Sequence, residues 1–461
     1  MFFSFAARNQ ASGLLTSVAW FLFEIRPKYV LALAIFATLL LPLSLHGLAL
    51  NQTNGDHESH RPKKRGPVTK YFQAMIAHSP GAWPQIPVST LRLWDTGTRW
   101  SQLNPAPGTY DWTMLDKWLA AGKQHNVGFL FTLGMTPQWA SSNPNDQICN
   151  YGPGQCDAPN DVNPDGSGTD QHWKDFVEAA AGHVGTQITY WEIWNEPNNL
   201  WYWDGTPAQL ARMAQDARRV IQSINPKAKL LNPGVGAHRI YGMKWWQAYA
   251  AAGGLEWADI IALHGDVRSY PPHCGEYPIP EDFLIVTHNL RKILAEYGQN
   301  HKSLWDTESS WGRTDQDCFT DEDLHAAFLA RFYLMHLSEG IRRFYWRGWI
   351  DGDGGLFDPK RGTLNKAGVA YQELKGWLTG NTLINQCARK GTVWTCKVEG
   401  PNGYMAKAVW DTSRTCKNGK CGTRSYSTDP RYVDYRTLAG EKIGIQNHKV
   451  PIGAKPIWLE N

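Results

Sequence analysis

Short apolar runs alternate with longer amphipathic stretches between about residue 70 and residue 380. β-Branched and aromatic residues bounded by Gly, Pro, Asn or Asp are typical of strands, whereas apolar positions three and four apart are typical of helices. The pattern predicts strands at 71–76, 90–94, 128–133, 189–194, 229–232, 259–263, 303–306 and 343–346. It predicts helices at 115–125, 173–183, 207–224, 243–252, 281–297, 321–338 and 364–378.

This alternation predicts an α/β fold, a (β/α)8 TIM barrel with a few long loops. A doubly wound sheet alternates in the same way, but no Gly-x-Gly-x-x-Gly follows the first strand, so a dinucleotide-binding fold is not favoured. After Gly380 the chain changes to short alternating runs separated by Gly, Asn and Pro. We therefore place the barrel at 70–380 and a small, disulfide-containing β-domain at 381–461.

An export signal precedes the predicted barrel. Residues 29–50 contain no Asp, Glu, Lys or Arg, and basic residues stand before them. That arrangement is typical of a signal peptide or a signal anchor, to which residues 1–50 are assigned. Small residues near Ala49 favour cleavage, whereas the length of the apolar run favours an anchor. Residues 51–69 form a polar, basic linker, and both alternatives predict a secreted, periplasmic or cell-surface protein that contacts a membrane only through the anchor.

Composition and charge narrow the function classes. The 461 residues are 42% hydrophobic and 12% aromatic, which excludes intrinsic disorder, and a mean hydropathy of −0.44 excludes a multi-span membrane protein. Residues 1–50 contribute 3 − 1 = +2 and residues 51–69 contribute 4 − 2 = +2, so they account for the whole formal charge of +4. The rest is neutral and has no clustered basic face, so no nucleic-acid partner is expected. The 23 tryptophans include candidates for stacking on sugar rings.

Eight cysteines, an even number, all follow the export segment. In an oxidising compartment such a set is typical of disulfides. The sequence contains no Cys-x-x-Cys, so a zinc ribbon or a thioredoxin-type redox centre is not favoured. We predict pairing mainly between sequence neighbours: Cys149–Cys156, Cys387–Cys396 and Cys416–Cys421, with Cys274–Cys318 as the more distant pair. Unpaired buried thiols are the alternative.

Two acidic residues stand at the carboxyl ends of predicted strands, where a (β/α)8 barrel carries its chemistry. Glu196 follows the fourth strand in the sequence WEIWNEP, and Glu308 follows the seventh in WDTESS. Glycoside hydrolysis needs two carboxyls of unequal pKa, one protonated to assist the leaving oxygen and one ionised to attack the anomeric carbon. Tryptophans near Glu196 favour its protonated form, and Arg92 at the end of the second strand is placed to lower the pKa of Glu308.

On these residues the sequence resembles the clan A glycoside hydrolases, the retaining (β/α)8 group, and most nearly its β-xylosidase and α-iduronidase-like branch. The matching residues within 70–380 are Trp194-Asn195-Glu196-Pro197 and Thr307-Glu308, with Arg92, Pro137-Gln138-Trp139, Gly108, Tyr110 and Trp112 in support. The resemblance implies that Glu196 is the general acid/base and Glu308 the nucleophile. It also implies that Asn195 binds the sugar 2-hydroxyl and that Arg92 steadies the nucleophile.

Further substrate-binding candidates follow from the same resemblance and from the loops: His264, Tyr270, Trp139, Trp201, Trp346 and Trp349. Tyr270 departs from the family pattern, because it stands six residues after His264 rather than one or two. Each candidate has a structural alternative. Arg92 could pair with Asp95 or Asp306, and the histidine and the tryptophans could be core residues. No metal or cofactor is expected, since the first strand lacks the His-x-His of barrel metallohydrolases.

The sequence therefore predicts a secreted retaining glycoside hydrolase that acts on an oligo- or polysaccharide. Its two carboxyl carbons are expected about 5–5.5 Å apart, as retention of configuration requires. Two alternatives use the same residues differently. One is a catalytically silent carbohydrate-binding barrel, and the other is a transglycosylase in which a second sugar replaces water.

Overall fold

Eight parallel strands pair with their neighbours in chain order, and the first pairs with the eighth to close a barrel. These strands are β1 (Gln73–Ile76), β2 (Thr90–Leu93), β3 (Gly128–Leu133), β4 (Tyr190–Ile193), β5 (Lys229–Leu231), β6 (Ile260–Leu263), β7 (Ser303–Ser309) and β8 (Ile341–Arg347). The computed structural model describes residues 66–236, 240–267, 279–312, 320–350, 354–417 and 419–461. Apolar runs flanked by turn residues thus became strands at each of the eight predicted places.

The helices of these described ranges surround the barrel. They are α1 (Trp100–Leu103), α2 (Thr113–His125), α3 (Gln171–Val184), α4 (Pro207–Ile224), α5 (Ile240–Ala251), α6 (Phe283–Glu296), α7 (Glu322–Ser338) and α8 (Lys366–Leu378). Local sequence explains where α4 begins. The Thr206 side chain accepts from Gln209 N, and the Gln209 side chain accepts from Thr206 N. Pro207 has no backbone N–H, so it leaves no donor unsatisfied in the first turn of the helix. The short α1 was not predicted, because four residues carry too little periodicity.

The barrel interior is filled by small and branched side chains in its middle and by aromatic rings at its amino-terminal end. Ala74, Leu130 and Ala262 belong to the middle cluster and are fully buried. At the amino-terminal end the guanidinium of Arg343 lies 3.9 Å from the ring centroid of Trp305 and 4.7 Å from that of Tyr190. The described interior is therefore filled by side chains, and in a barrel of this kind the carboxyl ends of the strands carry the chemistry.

Antiparallel strands make up most of the chain after α8. The strands beyond the barrel are β9 (Phe357–Asp358), β10 (Thr363–Leu364), β11 (Thr382–Leu383), β12 (Ala388–Lys390), β13 (Val393–Glu399), β14 (Met405–Asp411), β15 (Cys416–Lys417), β16 (Lys420–Cys421), β17 (Thr423–Ser427), β18 (Asp434–Arg436), β19 (Lys442–Gly444), β20 (Lys449–Gly453) and β21 (Ile457–Glu460). The main sheet has the order β11-β13-β14-β21-β18-β19, and β12 pairs with β13. The prediction of a (β/α)8 barrel with a C-terminal β-region is confirmed.

The C-terminal sheet and the barrel share one hydrophobic core. Trp458 of β21 stacks on Trp377 of α8 with ring centroids 5.4 Å apart, and both rings are buried. The indole N–H of Trp410 donates to the Glu281 carboxylate beside α6 at 2.7 Å. Apolar and polar contacts therefore both join the sheet to the helices of the barrel.

Three of the predicted disulfides are confirmed: Cys149–Cys156, Cys387–Cys396 and Cys416–Cys421. The predicted pair Cys274–Cys318 lies outside the described residues, as do Tyr270 and the export segment 1–50. Within the described ranges, no helix combines the length and the apolar character that crossing a bilayer requires.

Candidate active site

One buried arginine joins three strands at the open end of the barrel. Arg92 of β2 has no exposed surface and donates three hydrogen bonds of 2.7 Å, from Nε to Glu192, from Nη1 to Glu308 and from Nη2 to the Oδ1 of Asn195. Burial lowers the Arg92 pKa, but the carboxylate charges of Glu192 and Glu308 outweigh burial and raise it. The guanidinium is therefore permanently charged and fixes the positions of its three partners.

The alternative partners considered for Arg92 are engaged elsewhere. Asp95 lies 3.7 Å from Arg99, and Asp306 accepts from the Nε2 of His336 at 2.7 Å. Glu192 also accepts from the hydroxyl of Thr132 at 2.7 Å. The pairing of Arg92 with Asp95 or Asp306 is thus wrong, and Arg92 is bound to the predicted site.

Glu308 is held at both carboxylate oxygens. Its Oε2 accepts from Arg92, and its Oε1 accepts from the Nη1 of Arg347, the last residue of β8. Burial raises the Glu308 pKa, but the charges of Arg347, His264 and Arg92 outweigh burial and hold that pKa well below the usual carboxyl range. Only 8% of the Glu308 side chain is exposed. The two arginines therefore orient the Glu308 carboxylate and favour its ionised form.

The backbone turns sharply on both sides of Asn195. Trp194 has φ = 68° and Glu196 has φ = 41°, in the left-handed region that costs a non-glycine residue about 1–3 kcal/mol. Hydrogen bonds hold the turn, since Trp194 N donates to Leu133 O at 2.7 Å and Glu196 N donates to Gly234 O at 2.8 Å. The turn presents Asn195 and Glu196 together at the barrel opening. Because the Oδ1 of Asn195 accepts from Arg92, its Nδ2 is the end of the amide that can donate to a sugar hydroxyl.

Glu196 pairs with a buried histidine. The Nδ1 of His264, which follows β6, lies 2.9 Å from the Oε1 of Glu196, and His264 has no exposed surface. Burial raises the Glu196 pKa, but the hydrogen bond and the charge of His264 outweigh burial and lower it. Burial lowers the His264 pKa, but Glu196 and Glu308 outweigh burial and raise it. The expectation that tryptophans favour the protonated form of Glu196 is therefore wrong for this structure, because His264 lowers the Glu196 pKa more than burial raises it.

The second ring nitrogen of His264, Nε2, is buried next to this pair. Among the described residues, Nε2 has no hydrogen-bond partner. A buried N–H without a partner is costly, so the missing partner of Nε2 opposes part of the stabilisation that Glu196 and Glu308 give to the imidazolium. His264 and Glu196 are thus two titratable groups joined by a hydrogen bond, an arrangement that suits general acid/base chemistry.

Two tryptophans expected as sugar platforms are core residues instead. Trp346 has no exposed surface, and its indole N–H donates to Gly354 O at 3.0 Å. Trp349 is 3% exposed and stacks on Phe357 with ring centroids 5.0 Å apart. Neither presents a ring face to a ligand. The residue of β8 that reaches the site is Arg347, which stands between them.

The other two predicted aromatic residues lie in the loops after β3 and β4. Trp139 is half-buried, and its indole N–H donates to Asn104 O at 3.0 Å. Trp201 is 55% exposed and follows Glu196 by five residues. These loops are joined, since Asp204 N donates to Cys156 O at 2.8 Å and Thr206 Oγ1 donates to Pro164 O at 2.6 Å. Hydrogen bonds therefore hold the loop that carries Glu196 against the loop after β3.

Sequence reasoning missed three residues of the site: Glu192, Arg347 and Tyr202. Glu192 is a charged residue inside an otherwise apolar strand, which is the signal that could have found it. Arg347 is the last residue of β8 and stands at the same end of the barrel as Arg92 of β2. The sequence prediction named the neighbouring tryptophans instead. Burial raises the Tyr202 pKa, and the charges of Glu196 and Glu308 raise it further, which places this tyrosine within electrostatic reach of both carboxylates.

The described residues include a second cluster of carboxylates. Among the described residues, Asp146, Asp157 and Asp204 bring ligand oxygens within 4.8 Å of one another, in the loops after β3 and β4. Acidic clusters of this kind are common without an ion, so no metal is assigned to this one.

Comparisons with known proteins bear on the fold of the chain. No family model matches the chain. A β-xylosidase from Geobacillus stearothermophilus is 23% identical over 248 residues, which cover 50% of this chain and 46% of that protein. The chain thus matches less than half the length of this relative.

Solved structures cover more of the chain. A family 39 glycoside hydrolase from Bacteroides cellulosilyticus WH2 has a TM-score of 0.61 at 18% identity, over 85% of this chain and 81% of that one. A monomeric β-xylosidase from Caulobacter crescentus CB15 has a TM-score of 0.60 at 15% identity, over 86% and 97%. The chain has the fold of the barrel glycoside hydrolases. A family 30 endoxylanase from Clostridium papyrosolvens C71 shares this fold with a TM-score of 0.54 at 13% identity, over 86% and 97%. The resemblance drawn from the sequence is confirmed at the level of the fold.

Proposed function

We propose that the protein is a retaining glycoside hydrolase in which Glu308 is the nucleophile and Glu196 the general acid/base. The observation that carries this proposal is the unequal treatment of the two carboxylates. Glu308 is ionised and held by Arg92 and Arg347. Glu196 is 20% exposed at its side chain and is hydrogen-bonded to the titratable imidazole of His264. One carboxylate held by two arginines and one paired with a histidine suit the nucleophile and the acid/base of double displacement.

In the first step, a carboxylate oxygen of Glu308 attacks the anomeric carbon while Glu196 gives its proton to the glycosidic oxygen. The bond from the anomeric carbon to that oxygen breaks, and the leaving alcohol departs. Asn195 donates from Nδ2 to the sugar 2-hydroxyl, an interaction that strengthens as the ring gains oxocarbenium character. The product is a glycosyl ester of Glu308.

In the second step, Glu196, now a carboxylate, takes a proton from water. The water oxygen bonds to the anomeric carbon, and the ester bond to Glu308 breaks. Arg92 and Arg347 favour this departure because they stabilise the carboxylate that is released. The two inversions give net retention, and the proton returns to the pair of Glu196 and His264.

The substrate proposed is an oligo- or polysaccharide. Relatives described as β-xylosidases support β-xylosides as the first substrates to test. Three disulfides within the described residues support export, in keeping with the export signal predicted at 1–50. The proposed domains remain 70–380 for the barrel and 381–461 for the β-domain.

The test is hydrolysis by the purified full chain of a panel of aryl α- and β-glycosides, beginning with aryl β-xylosides. Proton NMR of the first product follows its anomeric configuration. Glu308→Ala should abolish turnover, and azide should restore it as a glycosyl azide of inverted configuration. Glu196→Ala should keep activity only on substrates with good leaving groups, and azide should then give a product of retained configuration.

Three results would contradict the proposal. Inversion in the first product would remove Glu308 as nucleophile and would imply carboxyl carbons about 6.5–9.5 Å apart. Azide products of the opposite stereochemistry in the two variants would exchange the two roles. Polysaccharide binding without turnover, equal in the wild type and Glu308→Ala, would support the silent carbohydrate-binding barrel.

A further inference from the structure

One tryptophan on the loop after β4, which carries Glu196, is exposed, whereas two other tryptophans of that loop are buried. Trp194 and Trp203, on the same loop, are 0% and 1% exposed, and their rings pack edge to face with centroids 4.7 Å apart. Trp201 is 55% exposed. Leu200 beside it is 54% exposed. The loop therefore buries its other tryptophans and presents this one to solvent.

The exposure of Trp201 does not reflect a loose loop. Asn199 N donates to Glu196 O at 3.0 Å, and Tyr202 N donates to Asn199 O at 2.9 Å, so the chain folds back on Glu196. Trp201 N donates to the Oδ1 of Asn199 at 3.1 Å, and Trp201 O accepts from Asn150 N at 3.5 Å. Asn150 lies inside the disulfide loop closed by Cys149 and Cys156. The ring is thus carried on a backbone fixed relative to the acid/base residue.

The chemistry of Glu196 decides which sugar this ring can meet. A general acid contacts the glycosidic oxygen, so the group attached to that oxygen leaves on the side of the acid. Glu308 attacks the opposite face of the sugar that stays bound. The loop that carries Trp201 folds back on this acid, so a platform on it is placed for the group that leaves on the acid's side.

We infer that Trp201 is the stacking platform for a sugar on the leaving-group side of the site, so that the natural leaving group is itself a sugar. The inference rests on the proposed function and assigns one residue to the sugar that leaves from the proposed oligo- or polysaccharide. The apolar C–H face of a pyranose fits a flat indole, whereas a small leaving group leaves this ring uncovered.

The same platform acts in the second step. A sugar retained on Trp201 can supply a hydroxyl in place of water. Glu196 then takes the hydroxyl proton, the sugar oxygen bonds to the anomeric carbon, and the ester bond to Glu308 breaks. The outcome is a new glycosidic bond instead of hydrolysis. Trp201 thus sets the balance between water and sugar as the acceptor.

The experiment compares Trp201→Ala with Leu200→Ala, its equally exposed neighbour. Each variant is assayed on two substrates with the glycone identified by the panel, a glycosyl fluoride and the corresponding disaccharide. Trp201→Ala should lower kcat/KM for the disaccharide by about tenfold to a hundredfold, as truncation of an aromatic anchor does, and should leave kcat/KM for the fluoride within about twofold. It should also reduce transfer to added disaccharide. Trp201→Phe, which keeps a flat ring, should retain most of the activity, and Leu200→Ala should behave as wild type.

Several outcomes would overturn the inference. An equal fall on both substrates would place Trp201 on the other side of the site or give it a role in folding. An unchanged disaccharide rate would remove the platform altogether, and so would an equal effect of Leu200→Ala. In each of these cases the proposed function stands, because fluoride turnover remains dependent on Glu308. If the wild type cleaves neither substrate, the proposed function fails and this inference fails with it.

Discussion

Removing the positive charge of Arg347 should make the protonation of Glu308 visible in the pH dependence of the reaction. In the structure Arg347 binds Oε1 of Glu308, while Arg92 binds Oε2. Among the charges that lower the Glu308 pKa, that of Arg347 has the largest effect. Arg347→Gln leaves the buried carboxylate with one guanidinium, and its pKa should rise toward the ordinary value of about 4.3.

The size of the shift follows from the distance. Opposite unit charges about 4 Å apart attract by about 4 kcal/mol at an effective dielectric constant near 20, which corresponds to about three pKa units. An opposite charge within hydrogen-bonding reach lowers a carboxyl pKa by about 1–3 units in proteins. The carboxylate must be ionised to attack, so activity is lost as the pH falls through its pKa. We expect the acid limb of log(kcat/KM) to move upward by about 1–3 pH units in Arg347→Gln.

The assay measures kcat/KM from pH 3 to pH 8 on the best aryl glycoside, after a check that each protein survives incubation at each pH. Arg347→Lys should keep the acid limb close to that of the wild type because it keeps the charge. Arg342→Gln is the matched control, since Arg342 is exposed on the same strand. If Arg347→Gln lowers kcat/KM equally at every pH, with the acid limb unmoved, Arg347 binds substrate rather than tuning Glu308 and the reasoning is refuted.

Three further predictions concern other parts of the molecule. His264→Phe removes the donor that lowers the Glu196 pKa, so the alkaline limb of kcat/KM, where Glu196 loses its proton, should move to higher pH; an unmoved limb would contradict the pairing. Gly234→Ala would place a Cβ 2.2 Å from the Nε2 of His264, so kcat/KM should fall by about a hundredfold, whereas Gly182→Ala, on open space in α3, should change nothing. Burial beside Asp216 raises the pKa of Asp170 to about 9, so the folded protein holds a proton that the unfolded chain releases near pH 4. Stability should therefore fall by about 1.4 kcal/mol per pH unit between these values. Asp170→Asn should flatten the Tm profile from pH 5 to pH 9, and parallel profiles would argue against a buried proton.

The barrel could be predicted from sequence because its strands are short apolar runs, each followed by an amphipathic helix. The two carboxylates could be placed because the carboxyl ends of barrel strands meet at one opening, whichever residues lie between them. Arg92 could be placed for the same reason, because it stands near the carboxyl end of β2. These predictions needed only the position of each residue along its strand and not the direction of its side chain.

The failures came where direction mattered. Trp346 and Trp349 are aromatic, as a sugar platform requires, but both rings are buried, and Arg347 between them reaches the site. Periodicity along a strand that ends in a loop does not say which residue of 346–349 faces inward. The pairing of Glu196 with His264 was missed for a similar reason. It depends on the parallel bridges that continue β4, β5 and β6 through Gly234 and Gly236, and those bridges leave no pattern in the sequence.

The shared core of the barrel and the C-terminal sheet has a consequence for how this protein can be divided. Trp458 stacks on Trp377, and Trp410 donates to Glu281, so a cut after α8 would expose the face of Trp377 and leave Glu281 with Arg331 but without its indole partner. Lys455 of the same region also binds Asp323 at the start of α7, 2.9 Å away. Transplanting the barrel onto another accessory module would therefore require redesign of the faces of α6, α7 and α8. The sheet covers helix faces that would otherwise meet solvent, and any chimera must cover those faces again.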